Sequence, residues 1–331
     1  VETHVVDLHR YLDARGVRVE VANITRHRGA SGGGVHYPSS AGALLALMWR
    51  LRPRVVHLHV GGTMPPRVVA LALACTLLPG TRNFLTLHSG GFASSPHGVA
   101  ARSWHPLAAV LRRFDGVFGV NAEMDRLFAR LGVPAHRRHL VVPFAPPTDL
   151  ATFDEVRRER PDIAAFVEAR RPLLVSVGQL EPEYDVPVQV AALERIRERH
   201  ATAGLLVVGP GRLRPELEAL IRERALTDQS LLTGDVPRRL TLRLLADADV
   251  VLRPTWYDGD AISVREALYL GTPVVASDTG MRPEGVLLTP PRDAEALAEV
   301  TLAALAQPRR TAERPPLEAD HLAGVLAAYG L

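Results

Sequence analysis

The sequence predicts an α/β protein of two parallel-sheet domains, and three observations predict it. The chain has 331 residues, the length of two domains of roughly 150 each. Short runs rich in Val and Leu alternate with helical patterns in both halves. A break rich in Pro, PFAPPTD at 143–149, separates one series of runs from the next. The runs are apolar throughout, as in strands that helices cover on both faces.

The first element is a helix. In VETHVVDLHRYLDARG, Val1, Val5, Leu8 and Leu12 form an apolar stripe that Gly16 ends. Because the chain opens inside this helical pattern, a strand and a glycine loop are expected upstream of it. Strand runs then follow: VRVEVANI, RVVHLHV at 54–60, FLTLH at 84–88, GVFGV at 116–120 and HLVV at 139–142. The second series is PLLVSVG at 172–178, GLLVVG at 204–209, SLLTG at 230–234, DVVL at 249–252 and TPVVAS at 272–277. Strand, helix, strand order requires parallel sheets, so two Rossmann-like domains are expected, at 1–146 and 147–310. The segment 311–331 contains the break RPP at 314–316 and a helical stripe of Leu317, Leu322, Val325, Leu326 and Tyr329. A return of this helix to the first domain is expected.

Composition narrows the class. Hydrophobic residues make up 47% and charged residues 23%, the profile of a globular protein. All 39 basic residues are Arg, a bias that weakens any argument from Arg counts. Residues 1–150 hold 17 Arg and 8 acids, net +9; the remainder holds 22 Arg and 28 acids, net −6. A basic first half suits either an anionic membrane surface or an acidic ligand, but its charges are scattered rather than polybasic. Peripheral contact with the inner face of the cell membrane therefore stays open, and no nucleic-acid partner is expected. The lone cysteine, Cys75, sits in VVALALACTLL and reads as a small core residue of a cytoplasmic protein. That run of 11 residues is far short of the ~20 a spanning helix needs.

Ligands of open α/β sheets bind beyond the carboxyl ends of strands, where the sequence places His59, His88, Gly178, Gly209 and the segment 255–266. GPG at 209–211 is a weak dinucleotide fingerprint, because Arg214 stands where the last glycine belongs. The glycine-rich stretch 25–39 lacks the GK[ST] of a P-loop and reads as a flexible loop. HLH at 57–59 puts two imidazoles on one strand face, half of a metal site at most; no metal ligand is expected. DGD at 258–260 resembles an aspartate pair that holds a divalent metal against a nucleotide diphosphate in another fold, but it lies late in a second domain.

The most informative stretch is YDGDAISVREALYLGTPVVASD at 257–278. A strand, a loop through Asp258 and Gly259, and a helix from about Ala261 would aim free backbone N–H groups and the positive helix end at the loop. Small residues allow close approach. Glu266 follows Asp258 by eight positions, so two carboxylates could grip hydroxyls around one anion. Those are the needs of a sugar nucleotide.

These residues resemble the Glu-x7-Glu motif of retaining GT-B glycosyltransferases of family four, the glycosyl transferases group 1. Also similar are VETHVVDLHRYL, LLVSVGQLEPEYDV, LLVVGPGRLRPELEALI and DTGMRPEG, so the resemblance covers nearly the whole chain. It implies two Rossmann-like domains facing across a cleft, and transfer from a nucleoside-diphosphate sugar to a glycan or lipid-linked acceptor, without metal or cofactor, in cell-surface polysaccharide synthesis. By position, Glu266 matches the ribose-binding glutamate, Asp258 stands where a glutamate contacts sugar hydroxyls, and His88 resembles a histidine near the transferred sugar. Gly234, Asp235 and Val236 match backbone lining the base. Gly178, Gly209, Gly259, Ala261, Ile262 and Ser263 are the expected close-approach and phosphate positions. The family's diphosphate-binding Arg and Lys are replaced by Gln179 and Tyr184, and Arg265, one turn into the helix, is the expected substitute, with Arg253 as the alternative. Two other readings remain: a non-catalytic sugar-nucleotide or glycan-binding protein, and a sugar-nucleotide epimerase.

Overall fold

The structure, a computed structural model, describes residues 2–25, 32–62, 64–141, 144, 146, 147, 149–258, 261–307 and 321–331. Gly259, Asp260, Leu317, the RPP break and positions 26–31 of the glycine-rich loop lie outside the described residues. The chain divides into one unit of Val1–Ala145 with Ala319–Leu331, and a second of Pro146–Glu318.

The first unit starts with α1 (Glu2–Asp13), followed by β1 (Val21–Ala22), β2 (Val35–His36), α2 (Ala41–Leu51), β3 (Val55–Val60), α3 (Pro66–Cys75) and β4 (Arg82–Leu87). Then come α4 (Pro96–Ala100), α5 (Pro106–Leu111), β5 (Gly116–Gly119), α6 (Ala122–Arg130) and β6 (Arg138–Leu140). Its sheet is parallel, in the order β3-β4-β5-β6. VRVEVANI does not join that sheet. Only Val21–Ala22 pairs, with Val35–His36, in a separate two-stranded ribbon. The reason is visible in its pattern: Val17, Val19 and Val21 alternate with Arg18 and Glu20, which suits a segment covered on one face rather than both. Arg18 and Glu20 pair with each other at 2.9 Å on that polar face.

The second unit runs α7 (Phe153–Glu159), α8 (Pro161–Ala169), β7 (Leu173–Val177), α9 (Val186–Arg197), β8 (Gly204–Val208), α10 (Arg214–Glu223) and β9 (Ser230–Gly234). It continues with α11 (Arg238–Asp247), β10 (Val250–Arg253), α12 (Ile262–Tyr269), β11 (Val274–Ser277), β12 (Leu287–Thr289) and α13 (Ala294–Leu305). β12 went unforeseen because three residues carry too little pattern to separate a strand from a loop. The strand order is β12-β11-β10-β7-β8-β9, all parallel.

The period-2 geometry of strands builds a core on each face of this sheet. Leu173, Val175, Leu206, Val208, Val251 and Val274 pack into one cluster with Leu240, Leu244 and Val264. Leu174, Leu205, Val207, Val250, Leu252 and Val275 pack into the other with Val190, Leu193, Ile196 and Leu297. Running apolar strands therefore serve two cores at once.

The last helix, α14 (His321–Tyr329), belongs to the first unit. Leu322, Val325 and Tyr329 join Leu8, Leu12, Phe84, Phe118 and Val141 in one core. Arg82 fixes its end by donating to the carbonyls of Tyr329 and Ala328 at 2.7 and 2.9 Å. Cys75 is buried, and burial pushes its thiol up to about 11.

Candidate functional site

The chain runs β7, β8, β9 outward in one direction, then returns to place β10 on the other side of β7. The strand order thus reverses between β7 and β10, and the loops leaving their carboxyl ends diverge. Such a point leaves a crevice for a ligand. Gly178, Gln179, Tyr184, Asp258 and Ala261, all singled out from the sequence, lie on these loops.

Three glycines carry the backbones together. A Cβ on Gly178 would lie 2.3 Å from Tyr184 Cδ1 and 3.1 Å from Arg253 Nη1. Gly209, at φ +139°, would drive a Cβ to 1.9 Å from the Gly178 carbonyl oxygen, so only glycine fits. Its N–H donates to the Gly234 carbonyl at 2.9 Å. Gly178, Gly209 and Gly234 therefore form one continuous ledge at the ends of β7, β8 and β9. Gln179 is exposed on it and Tyr184 half-buried. Of the next two expected base-lining positions, Asp235 is exposed and Val236 lies in the core.

On the β10 side, Asp258 is held between two arginines. Arg253 Nε donates to Asp258 Oδ2 at 2.8 Å and Arg282 Nη1 to the same oxygen at 3.0 Å. Thr255 Oγ1 also faces it at 3.4 Å. Burial acts to raise the Asp258 pKa, but the two guanidiniums outweigh it and hold the carboxyl below its ordinary value. Arg253 also donates to the Val177 carbonyl, and its Cζ lies 4.8 Å from the Tyr184 ring centroid. Arg282, its side chain only 2% exposed, donates to the Ser277 carbonyl at 3.0 Å and to Thr255 Oγ1 at 2.7 Å. The node ties the loops after β7, β10 and β11 together, with one more positive than negative charge among the three side chains. Arg253 was weighed in the sequence only as an alternative; Arg282 was missed, since one Arg among 39 in a lysine-free chain gives no signal.

α12 begins at Ile262, with Ala261 as an N-cap that offers no side-chain acceptor. Ile262, Ser263 and Arg265 are half-buried on its first turns. Glu266, 5% exposed, accepts from Arg238 Nε and Nη2 at 3.1 and 2.8 Å, so the structure brings it to the start of α11, just past the Gly234–Val236 segment. Beside the node, Asp185 has φ +47° and accepts from Trp256 Nε1 at 2.6 Å. Burial raises its pKa.

His88 lies in the first unit, within a group of imidazoles. His59 Nδ1 and His88 Nε2 are 3.0 Å apart. His4, on α1, has its ring centroid 5.1 Å from His88 and 5.5 Å from His59. Burial comes first in lowering all three: His4 to about 4, His59, with His4 beside it, to about 3, and His88, with His59 and His4 beside it, to about 2. They are neutral at physiological pH. His57 is occupied otherwise, by Tyr329 Oη at one nitrogen and Thr86 Oγ1 at the other.

With this geometry in hand, comparison with known proteins gives consistent results. Residues 171–307 match the family described as glycosyl transferases group 1, and residues 1–145 match the glycosyl transferase 4-like domain. A glycogen synthase of Mycobacterium tuberculosis (strain CDC 1551 / Oshkosh) is 27% identical over 288 residues, covering 81% of this chain and 65% of that protein. The chain thus spans a little under two thirds of that relative's length. Among solved structures, sucrose-phosphate synthase from Thermosynechococcus elongatus superposes with a TM-score of 0.68 at 21% identity, covering 98% of this chain and 88% of that one. Anabaena HepE, solved in complex with UDP-glucose, gives a TM-score of 0.63 at 16% identity, covering 82% and 76%. These structural likenesses show the GT-B fold.

Proposed function

The chain belongs to the glycosyl transferases group 1 family, and from that premise we propose that it moves a sugar, with retention, from a nucleoside-diphosphate sugar to a glycan or lipid-linked acceptor in cell-surface polysaccharide synthesis. The observation that supports this most is the β7/β10 reversal, where a glycine ledge meets a positively charged node beside an uncapped helix start. The ledge admits a flat nucleotide close to backbone, and the first turn of α12 favours an anion.

In this reading Glu266 accepts from the ribose hydroxyls, with Arg238 holding its carboxylate in place. Gly234, Asp235 and Val236 border the base. Arg265 contacts the diphosphate, while Arg253 and Arg282 supply the fixed positive field that Gln179 and Tyr184 lack. Every polar contact of Asp258 named above goes to Oδ2, so Oδ1 is the atom offered to a sugar hydroxyl. His88 is the residue that the family resemblance sets near the transferred sugar. The diphosphate leaves from the face the acceptor attacks, and its own oxygen takes the acceptor proton. No protein nucleophile or divalent metal is required at the phosphates; the protein positions the reactants and stabilises the leaving charge.

We assign the protein to the cytoplasm, with peripheral contact on the inner face of the membrane through the basic first half. The supporting observations are its net +9 charge and Trp104 and Trp49, 81% and 75% exposed. Among the described residues no helix is long and apolar enough to cross a membrane.

The test is to incubate the chain with UDP-, GDP- and ADP-sugars and follow both calorimetric binding and release of nucleoside diphosphate in the presence of acceptor glycans. Binding with turnover supports transfer. Binding without turnover supports the non-catalytic reading, which the engagement of Asp258 by two arginines favours. No binding to any of them overturns both.

A further inference from the structure

His4, His59 and His88 come from three places: α1, the carboxyl end of β3, and the residue after β4. β3 and β4 are neighbours, with His59 paired in register to Thr86, so His88 follows two residues beyond it. α1 brings His4 over this strand pair. One ring nitrogen from each of the three lies within 4.8 Å of the others.

Stacking alone does not account for the group. The His59–His88 contact at 3.0 Å satisfies one nitrogen of each of those rings. His4, however, is 2% exposed, and its Nε2 is buried with no hydrogen-bond partner among the described residues. A buried nitrogen in that position bears the full desolvation cost of the atom. His57 is not a member, since both its nitrogens are engaged by Tyr329 and Thr86. That pairing instead fixes the ring that lies tilted against His59, at a centroid distance of 4.1 Å.

We propose that His4, His59 and His88 form a binding site for one divalent transition metal of the zinc class. Neutral imidazole is the ligand such ions take, whereas Mg²⁺ and Ca²⁺ require oxygen. Zn–N bonds of about 2.0–2.1 Å in tetrahedral geometry hold ligand nitrogens about 3.3 Å apart, so the three rings close on the ion by rotations of about 1 Å. The ion satisfies His4 Nε2 and replaces the His59–His88 contact. Three histidine ligands leave a fourth position for water or another small ligand.

The experiment uses the whole chain, stripped with chelator and dialysed, then titrated with Co²⁺ and with Zn²⁺ in the absence of sugar nucleotide. The expected result is one equivalent of Co²⁺ giving the intense visible bands of a four-coordinate ion, displaced by one equivalent of Zn²⁺. His4→Ala and His88→Ala should each weaken binding by at least the ~10–100-fold that even outer-shell partners of metal ligands are worth. His97→Ala, an exposed histidine outside the group, should leave it unchanged. X-ray absorption on the zinc-loaded native chain should count three imidazoles, an answer that does not depend on the variants folding. Absence of stoichiometric binding, a count of fewer than three imidazoles, or retention of binding in both His4→Ala and His88→Ala overturns the proposal. Since no nucleotide enters the assay, its outcome is independent of the transferase reading.

Discussion

Replacing Asp258 with asparagine should destabilise the second unit before it alters anything else. The carboxylate is the counter-charge for Arg253, which is 9% exposed, and for Arg282, whose side chain is 2% exposed. Removing one partner of a buried ion pair costs about 3–5 kcal/mol, because the remaining charge is left unpaired in a poorly hydrated place. Here two guanidiniums lose the same carboxylate. For a unit of this size, each kcal/mol lowers the midpoint by about 2–4 °C, so Asp258→Asn should melt about 6–20 °C below the native chain by calorimetry. Adding Arg282→Met to that variant should recover part of the loss, since it removes one of the two cations that faced the lost carboxylate and keeps the volume. Acid titration supplies a second check. The Asp258 pKa is depressed in the fold, so its contribution is present above the unfolded value of about 3.9 and is lost as pH falls through the folded value. Asp258→Asn should lack that part of the acid sensitivity. A midpoint within about 2 °C of native, or a double variant that costs the sum of the two single changes, would refute the reasoning and leave Asp258 as a ligand-binding group only.

Glu266→Ala should weaken nucleoside-diphosphate binding by about 10- to 100-fold, from charge-assisted bonds worth about 1.5–3 kcal/mol each; because Arg238 is 37% exposed and stays hydrated alone, the midpoint should fall by only a few degrees. Arg265→Ala should weaken binding of nucleoside diphosphate more than that of nucleoside, and equal weakening in calorimetry would remove Arg265 from the phosphate site. Turnover should need no added Mg²⁺ or Mn²⁺, since in the proposed mechanism backbone and arginine hold the phosphates; a strict requirement for either ion would contradict that mechanism. Gly209→Ala should lose at least about 2 kcal/mol in chemical denaturation, because a Cβ would sit 1.9 Å from the Gly178 oxygen at a φ of +139°.

What the sequence disclosed was local. Leu173–Val177 or Gly204–Val208 could be read as doubly covered strands because every residue is apolar, and the glycines closing those runs mark the ledge by themselves. The uncapped start of α12 was also legible, since Ala261 carries no side-chain acceptor and the strand before it ends at Arg253. VRVEVANI misled because β-branched residues look alike in a sheet and in a lone ribbon, and only the charged residues between them tell the two apart. Contacts across long separations were out of reach. His4 meets His88 across 84 positions, and Arg282 meets Asp258 across 24; nothing in either local pattern announces its partner.

The place of α14 bears on the order in which this chain can acquire its structure during synthesis. Leu322, Val325 and Tyr329 complete a core whose other members begin at Leu8, yet every residue of the second unit lies between them. A ribosome therefore releases all of Pro146–Glu318 while Phe84 and Phe118 still lack one wall of their packing. The second unit is contiguous and can mature as soon as it has emerged. The first must wait with an apolar flank uncovered, and clipping the final turn at Tyr329 should injure the unit that was synthesised before the second.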